Sequence, residues 1–278
     1  MDIASPQEIL DVSAGPGPAF HKRWNGWTVA ALLVLLALLY IFVQLVATVV
    51  WLFIAFPDVM AQAMHGNPAP LMHLARPEGL AQVLTPVGFL AIQLPTTAVM
   101  MAATFGLAYG LLRPQATLKD LGFGRPLTSG NAAFAVGAGV VLFIVAGIIE
   151  FVQERIFGPH PQQIALILEQ HRGVLALVLD LLSAAVLAPL WEETLFRGLL
   201  FTSFVQRMPF WWAATLSGLL FALGHVDKWN ILPLWLLGIG LAYVYYRTGN
   251  IWANIVTHAT INGIDLLLPL LVPQLAGK

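Results

Sequence analysis

Residues 189–198 read Pro-Leu-Trp-Glu-Glu-Thr-Leu-Phe-Arg-Gly and close a long apolar run. Two adjacent carboxylates, Glu192 and Glu193, stand beside a hydrocarbon-length segment, with Arg197 following. A charge at the centre of a membrane helix costs roughly 2.5–3.5 kcal/mol on insertion scales, so such groups call for a reason. Glu193 and Arg197 are spaced i, i+4 with the Glu first, the favourable order for an ion pair on one helix face. Glu192 is turned about 100° from Glu193 at 3.6 residues per turn, so it points elsewhere. The spacing divides the labour: Glu193 is neutralised and structural, and Glu192 is left for chemistry. The competing reading is that both carboxylates are loop residues reaching into water at a membrane surface.

The composition sets the class. Of the 278 residues 59% are hydrophobic and 10% charged, and the mean hydropathy is +0.81. Soluble domains carry about 25% charged residues. The expectation is therefore all-α, a polytopic membrane helix bundle of about eight transmembrane helices around an intramembrane polar site. A formal net charge of −1 gives no polyanion-binding signature, so nucleic acid is not an expected partner and membrane lipids are. The absence of cysteine excludes disulfides, thiolate metal sites and cysteine nucleophiles. The first apolar run is too long for a signal-peptide core and lacks a small-residue cleavage site, so no cleavable leader is expected.

Residues 1–26 read as a polar lead-in and 27–278 as a single membrane domain, with the part that carries the chemistry at 173–271. Expected spans run from Trp27 to Phe56, Pro86 to Leu112, Asn131 to Glu150 and Gly173 to Trp191. Trp24, Trp27 and Trp51 suit interfacial anchors, and Gly106 with Gly110 forms a Gly-xxx-Gly pair for close helix approach. Gln163 to Glu169 is an amphipathic stretch, either interfacial helix or loop. Pro189 should kink the fourth span, because it lacks an N–H and clashes with the carbonyl four residues back. Shorter helices follow at Leu195 to Gln206, Phe210 to His225, 229–246 and Ile251 to Leu271. Asp180 lies about 18 Å from Glu192 along an ideal helix and is left out of the site.

Polar groups recur within these last helices. His225 ends Phe221-Ala-Leu-Gly-His225, and His258 shares a face with Asn262 at i, i+4. A lone membrane histidine is more often an interhelical hydrogen-bond partner than a catalyst. Three such features within one short stretch shift that balance. Glu-Glu-xxx-Arg (Glu192, Glu193, Arg197), Phe-xxx-His (Phe221, His225) and His-xxx-Asn (His258, Asn262) occur in that order. The set resembles the CAAX protease and bacteriocin-processing family of intramembrane endopeptidases, which includes the type II CAAX prenyl endopeptidase. The resemblance rests on residues 173–271. It implies an eight-helix bundle with a polar site inside the bilayer, opening toward the cytosol.

Peptide hydrolysis needs an activated water, a stabiliser for the developing oxyanion and a proton route to the amine. Glu192 is the candidate general base, with His225 orienting the water or sharing its proton. His258 and Asn262 are candidate oxyanion donors, and Glu193 with Arg197 supports Glu192 from behind. These roles match what the resemblance implies. Glu192, His225 and His258 also make an acceptable zinc set with an open position, although the His-Glu-xx-His signature is missing. Zinc is thus possible, while a site needing no obligatory metal is the favoured expectation. The expected substrate is a membrane-associated peptide or a prenylated protein. The rival readings are an ion- or proton-coupled transporter using the same residues as a relay, and a non-catalytic bacteriocin immunity protein.

Overall fold

The computed structural model describes residues 24–158, 173–225 and 227–271. Among them every regular element is helical, and the chain folds as a polytopic bundle. Among the described residues five helices are long and apolar enough to cross a membrane: α1 (Gly26–Ala55), α5 (Pro86–Leu111), α6 (Ser129–Phe157), α7 (Val174–Val205) and α9 (Ile231–Thr248). The shorter apolar helix α8 (Phe210–Gly224) and the terminal α10 (Ile251–Leu271) complete the set. This is an integral membrane protein, and its exposed large side chains, such as Leu38, Phe42 and Ile54 on α1, suit contact with lipid. The polar lead-in up to residue 23 and the Gln163–Glu169 stretch lie outside the described residues.

Local signals account for the boundaries. The Asn25 side chain accepts from the Trp27 and Thr28 amides, Thr85 caps α5 through the Gly88 amide, and Thr128 caps α6 through that of Asn131. Gly249, at φ +56°, lets α9 end in the left-handed turn that leads into α10. Between α1 and α5 the Pro-marked loop holds three short helices, α2 (Pro57–Met64), α3 (Ala69–Leu74) and α4 (Pro77–Val83). Each carries Pro in its first turn, where the missing N–H is not needed.

Three expectations are corrected. The fourth span does not end at Trp191: 174–205 is one helical segment, and the separate helix expected from Leu195 to Gln206 is its continuation. The segment tolerates the proline because it widens into π-turns at Leu181–Leu187 and again at Thr194–Phe201. Glu192 and Glu193 therefore sit in the interior of a helix rather than at its end. Gly106 and Gly110 make no close approach, since a Cβ on either would meet nothing within 4 Å. The packed side of α5 is instead the one bearing Met100, Thr104 and Ala108. Trp24 is buried in the core rather than interfacial, whereas Trp27 is exposed, and Trp51 donates to the Val83 carbonyl at 2.9 Å.

Close approach does occur around the polar site. A Cβ on Gly238 of α9 would lie 2.5 Å from the Gly218 Cα of α8, so these two backbones touch. A Cβ on Gly139 of α6 would press on Thr257 and Thr260 of α10, and the Thr257 hydroxyl donates to the Ala135 carbonyl at 3.1 Å. Gly238→Ala should thus destabilise by about 1–3 kcal/mol through overpacking, whereas Gly106→Ala should leave stability unchanged or slightly raised, since Ala favours helix. Thermal unfolding of both variants in one detergent checks this contrast.

Candidate active site

The site is built on α7 and α10, with α8 and α9 behind it. Glu193 and Arg197 are both fully buried and paired, Arg197 Nη1 to Glu193 Oε1 at 2.9 Å, as the i, i+4 spacing requires. The guanidinium has two further supports: Nη2 donates to the Gly238 carbonyl at 3.2 Å, and Cζ lies 4.6 Å from the Phe221 ring centroid. The first depends on the bare backbone contact of Gly218 and Gly238, which brings α9 within reach. The second is a cation–π contact, stronger where water is excluded.

Glu193 gathers more than its arginine. His258 Nδ1 lies 2.7 Å from the same oxygen, Oε1, and Asn254 Nδ2 donates to Oε2. A carboxylate ionised by a buried guanidinium can only accept, so His258 must carry a proton on Nδ1. The other ring nitrogen, Nε2, is thereby turned toward Glu192, 4.0 Å from Oε2. The Glu192 side chain keeps 13% of its surface open, against none for Glu193. The two adjacent carboxylates are thus inequivalent: one is a sealed hub, the other faces the free edge of a histidine. Tyr40 of α1 stacks on Trp191 with centroids 5.0 Å apart, walling the Glu192 turn from that side.

His225 joins through aromatic contact. It ends α8, and its Nδ1 must donate to the Phe221 carbonyl at 2.9 Å, which commits that nitrogen and not Nε2. The Phe221 ring packs in T-shaped contact with both His225 (4.7 Å) and His258 (5.7 Å), so both imidazoles share it as a neighbour. Asn262 is placed differently from the other motif residues. Its amide donates to the Ala184 carbonyl at 2.7 Å. In the preceding π-turn the Ala188 amide bonds to Ser183, five residues back. By that register Ala184 would pair with residue 189, which is proline and has no N–H. Asn262 supplies the missing donor.

Asn254 is the site residue that the motif reading missed. It lies four residues before His258, as Asn262 lies four after, so an i, i+4, i+8 row of polar residues was its signal. Among the described residues no group of three His, Asp or Glu side chains could hold a metal ion. Glu192, His225 and His258 as placed therefore do not form a zinc ligand set.

Fold and site together define a polytopic helical membrane protein with a buried carboxylate hub that aims a histidine at a second, accessible carboxylate. Residues 174–264 match the family described as Rce1-like, type II CAAX prenyl endopeptidase, so the resemblance carried by the motifs holds over the segment containing them. The chain is similar to the "Putative membrane peptidase YdiL" of Bacillus subtilis, 27% identical over 95 residues, which is 34% of this chain and 39% of that protein. It is also similar to an uncharacterized 24.3 kDa protein of Escherichia coli, 34% identical over 95 residues (32% of this chain, 44% of that protein). YxdF of Lactococcus lactis is 32% identical over 78 residues (28% and 42%). The chain thus spans about two fifths of the length of these curated relatives. No solved structure matches it.

The hub makes a stability prediction. Glu193→Gln leaves the Arg197 charge buried without its counter-ion and should cost about 3–5 kcal/mol. Glu192→Gln removes no buried pair and should unfold near the wild-type temperature. Thermal denaturation of the two purified variants measures the difference.

Proposed function

We propose that the chain is an intramembrane endopeptidase that hydrolyses a peptide bond of a membrane-associated substrate. The observation that carries this reading is the 4.0 Å gap between Glu192 Oε2 and His258 Nε2, with the far side of the imidazole fixed by Glu193. A water held by Glu192 would lose its proton to that carboxylate as it attacks the scissile carbonyl. The proton then passes to the departing amine, so that acid and amine products balance. His258 Nε2 lies where it can share that proton or, once protonated, donate to the oxyanion. His225, exposed and with its Nδ1 committed to the Phe221 carbonyl, is the second candidate to orient the water. Asn262 is read as serving the reaction indirectly, since its amide is engaged by Ala184.

The family match and the peptidase name carried by a relative support hydrolysis over the transporter and immunity readings. They leave the substrate open between a prenylated protein and an ordinary membrane-proximal peptide. Purified protein in liposomes should cleave a membrane-tethered peptide, and Glu192→Gln should reduce kcat by at least about a hundredfold, the scale of general-base loss. Undiminished cleavage by Glu192→Gln would remove Glu192 from the mechanism.

The N-terminal end of α1 is proposed to face the cytosol. If α1, α5, α6, α7, the shorter α8 and α9 alternate in direction, Arg113, Lys119, Arg125, Arg207 and Arg247 fall on that face with Asp120 as their acidic companion. Cysteine placed at Thr117 in this cysteine-free chain should react only with reagents that reach the cytosol. Labelling by an impermeant reagent outside intact cells would reverse the orientation.

A further inference from the structure

We infer that Asn254, outside all three motifs, is a positioning residue that fixes the Glu193 carboxylate and through it the tautomer and aim of His258. Glu193 Oε1 already accepts from Arg197 and His258. Two bonds to one oxygen leave the carboxylate free to swing about its last torsion, which is soft. The Asn254 amide takes the other oxygen, Oε2, and fixes the carboxylate plane. Because Asn254 and His258 are one turn apart on α10, a single helix face grips both oxygens of a residue on α7. The Nδ1–H of His258 is then presented to an oxygen that cannot rotate away, and Nε2 stays directed at Glu192.

The burial of Asn254 shows what its amide is kept for. The side chain is fully buried, and among the described residues its Oδ1 has no hydrogen-bond partner. A buried amide with an unsatisfied oxygen is costly, and leucine of similar size would fill the same space without that cost. Packing alone does not account for asparagine here, whereas the bond to Glu193 does. The charged and titratable groups around this carboxylate are Glu192 and Arg197 on α7, His258 on α10, His225 on α8 against the Phe221 ring, and Tyr40 on α1 beside Trp191.

The catalytic part of this inference rests on the peptidase reading, so the test has one arm that needs no activity. Protein labelled with 15N-histidine in detergent should show His258, identified by the signal lost in His258→Gln, as a single Nδ1–H tautomer. In Asn254→Leu the same signal should become a mixture of tautomers while the unfolding temperature stays near wild type. On a tethered peptide, Asn254→Leu should lower kcat about tenfold, the size of loss when a supporting group is removed, with KM unchanged. Asn254→Gln should regain part of that loss. An unchanged His258 tautomer in Asn254→Leu overturns the inference whatever the activity, and so does an unchanged kcat in an active enzyme. A wild-type protein that cleaves nothing instead defeats the peptidase reading, while the tautomer arm still decides the role of Asn254.

Discussion

The rest of the site depends on the buried ion pair of Glu193 and Arg197. Two fully buried charges in an apolar bundle are tolerable only if each remaining hydrogen-bonding position is used well. Glu193 meets that demand by accepting from Arg197, His258 and Asn254; Arg197 meets it in part, by reaching Gly238 and the Phe221 face, while its buried Nε has no hydrogen-bond partner among the described residues. The contacts draw on α7, α8, α9 and α10, so the ion pair also ties these four helices together. Its functional consequence is an imidazole with one nitrogen committed and the other free. A histidine prepared in this way needs no rearrangement when charge develops beside it.

A second constraint comes from the backbone of α7. A proline within a membrane helix deprives a carbonyl of its partner, and no water is at hand to replace it. Here the helix widens into a π-turn, and Asn262 from α10 donates to Ala184 in place of the absent Pro189 N–H. π-turns recur at functional sites because the extra residue per turn redirects the side chains that follow. In α7 they flank the segment bearing Glu192 and Glu193 on both sides. The same α10 face thus repairs the helix with Asn262, aims at Glu192 with His258 and grips Glu193 with Asn254. A row of three residues at helical spacing sets the register between the two helices.

Much of this was legible in the sequence, and what was missed has physical reasons. Uncharged runs located the long helices, because hydrocarbon leaves little choice of residue, and the i, i+4 spacing of Glu193 and Arg197 foretold their pairing. The continuity of α7 was not legible, because the rule that proline breaks a helix supposes a regular α-register, and a π-turn with a donor from elsewhere evades it. Gly106 and Gly110 misled because spacing alone does not say whether a partner helix lies opposite, whereas Gly218 and Gly238 carried no motif and do make the contact. Asn254 was overlooked for a similar reason. A single amide in an apolar helix reads as generic helix glue until the carboxylate it faces is known.

Glu193 and Arg197 stabilise the bundle as one unit rather than as two separate polar residues. A double-mutant cycle on thermodynamic stability, with Glu193→Gln, Arg197→Met and the combination, tests it most directly. Each single variant strands a buried group and should lose about 3–5 kcal/mol, and the double variant, which strands neither charge, should lose clearly less than the sum. Losses that simply add would mean that neither residue depends on the other for its place in the bundle, and the pair would not be one unit.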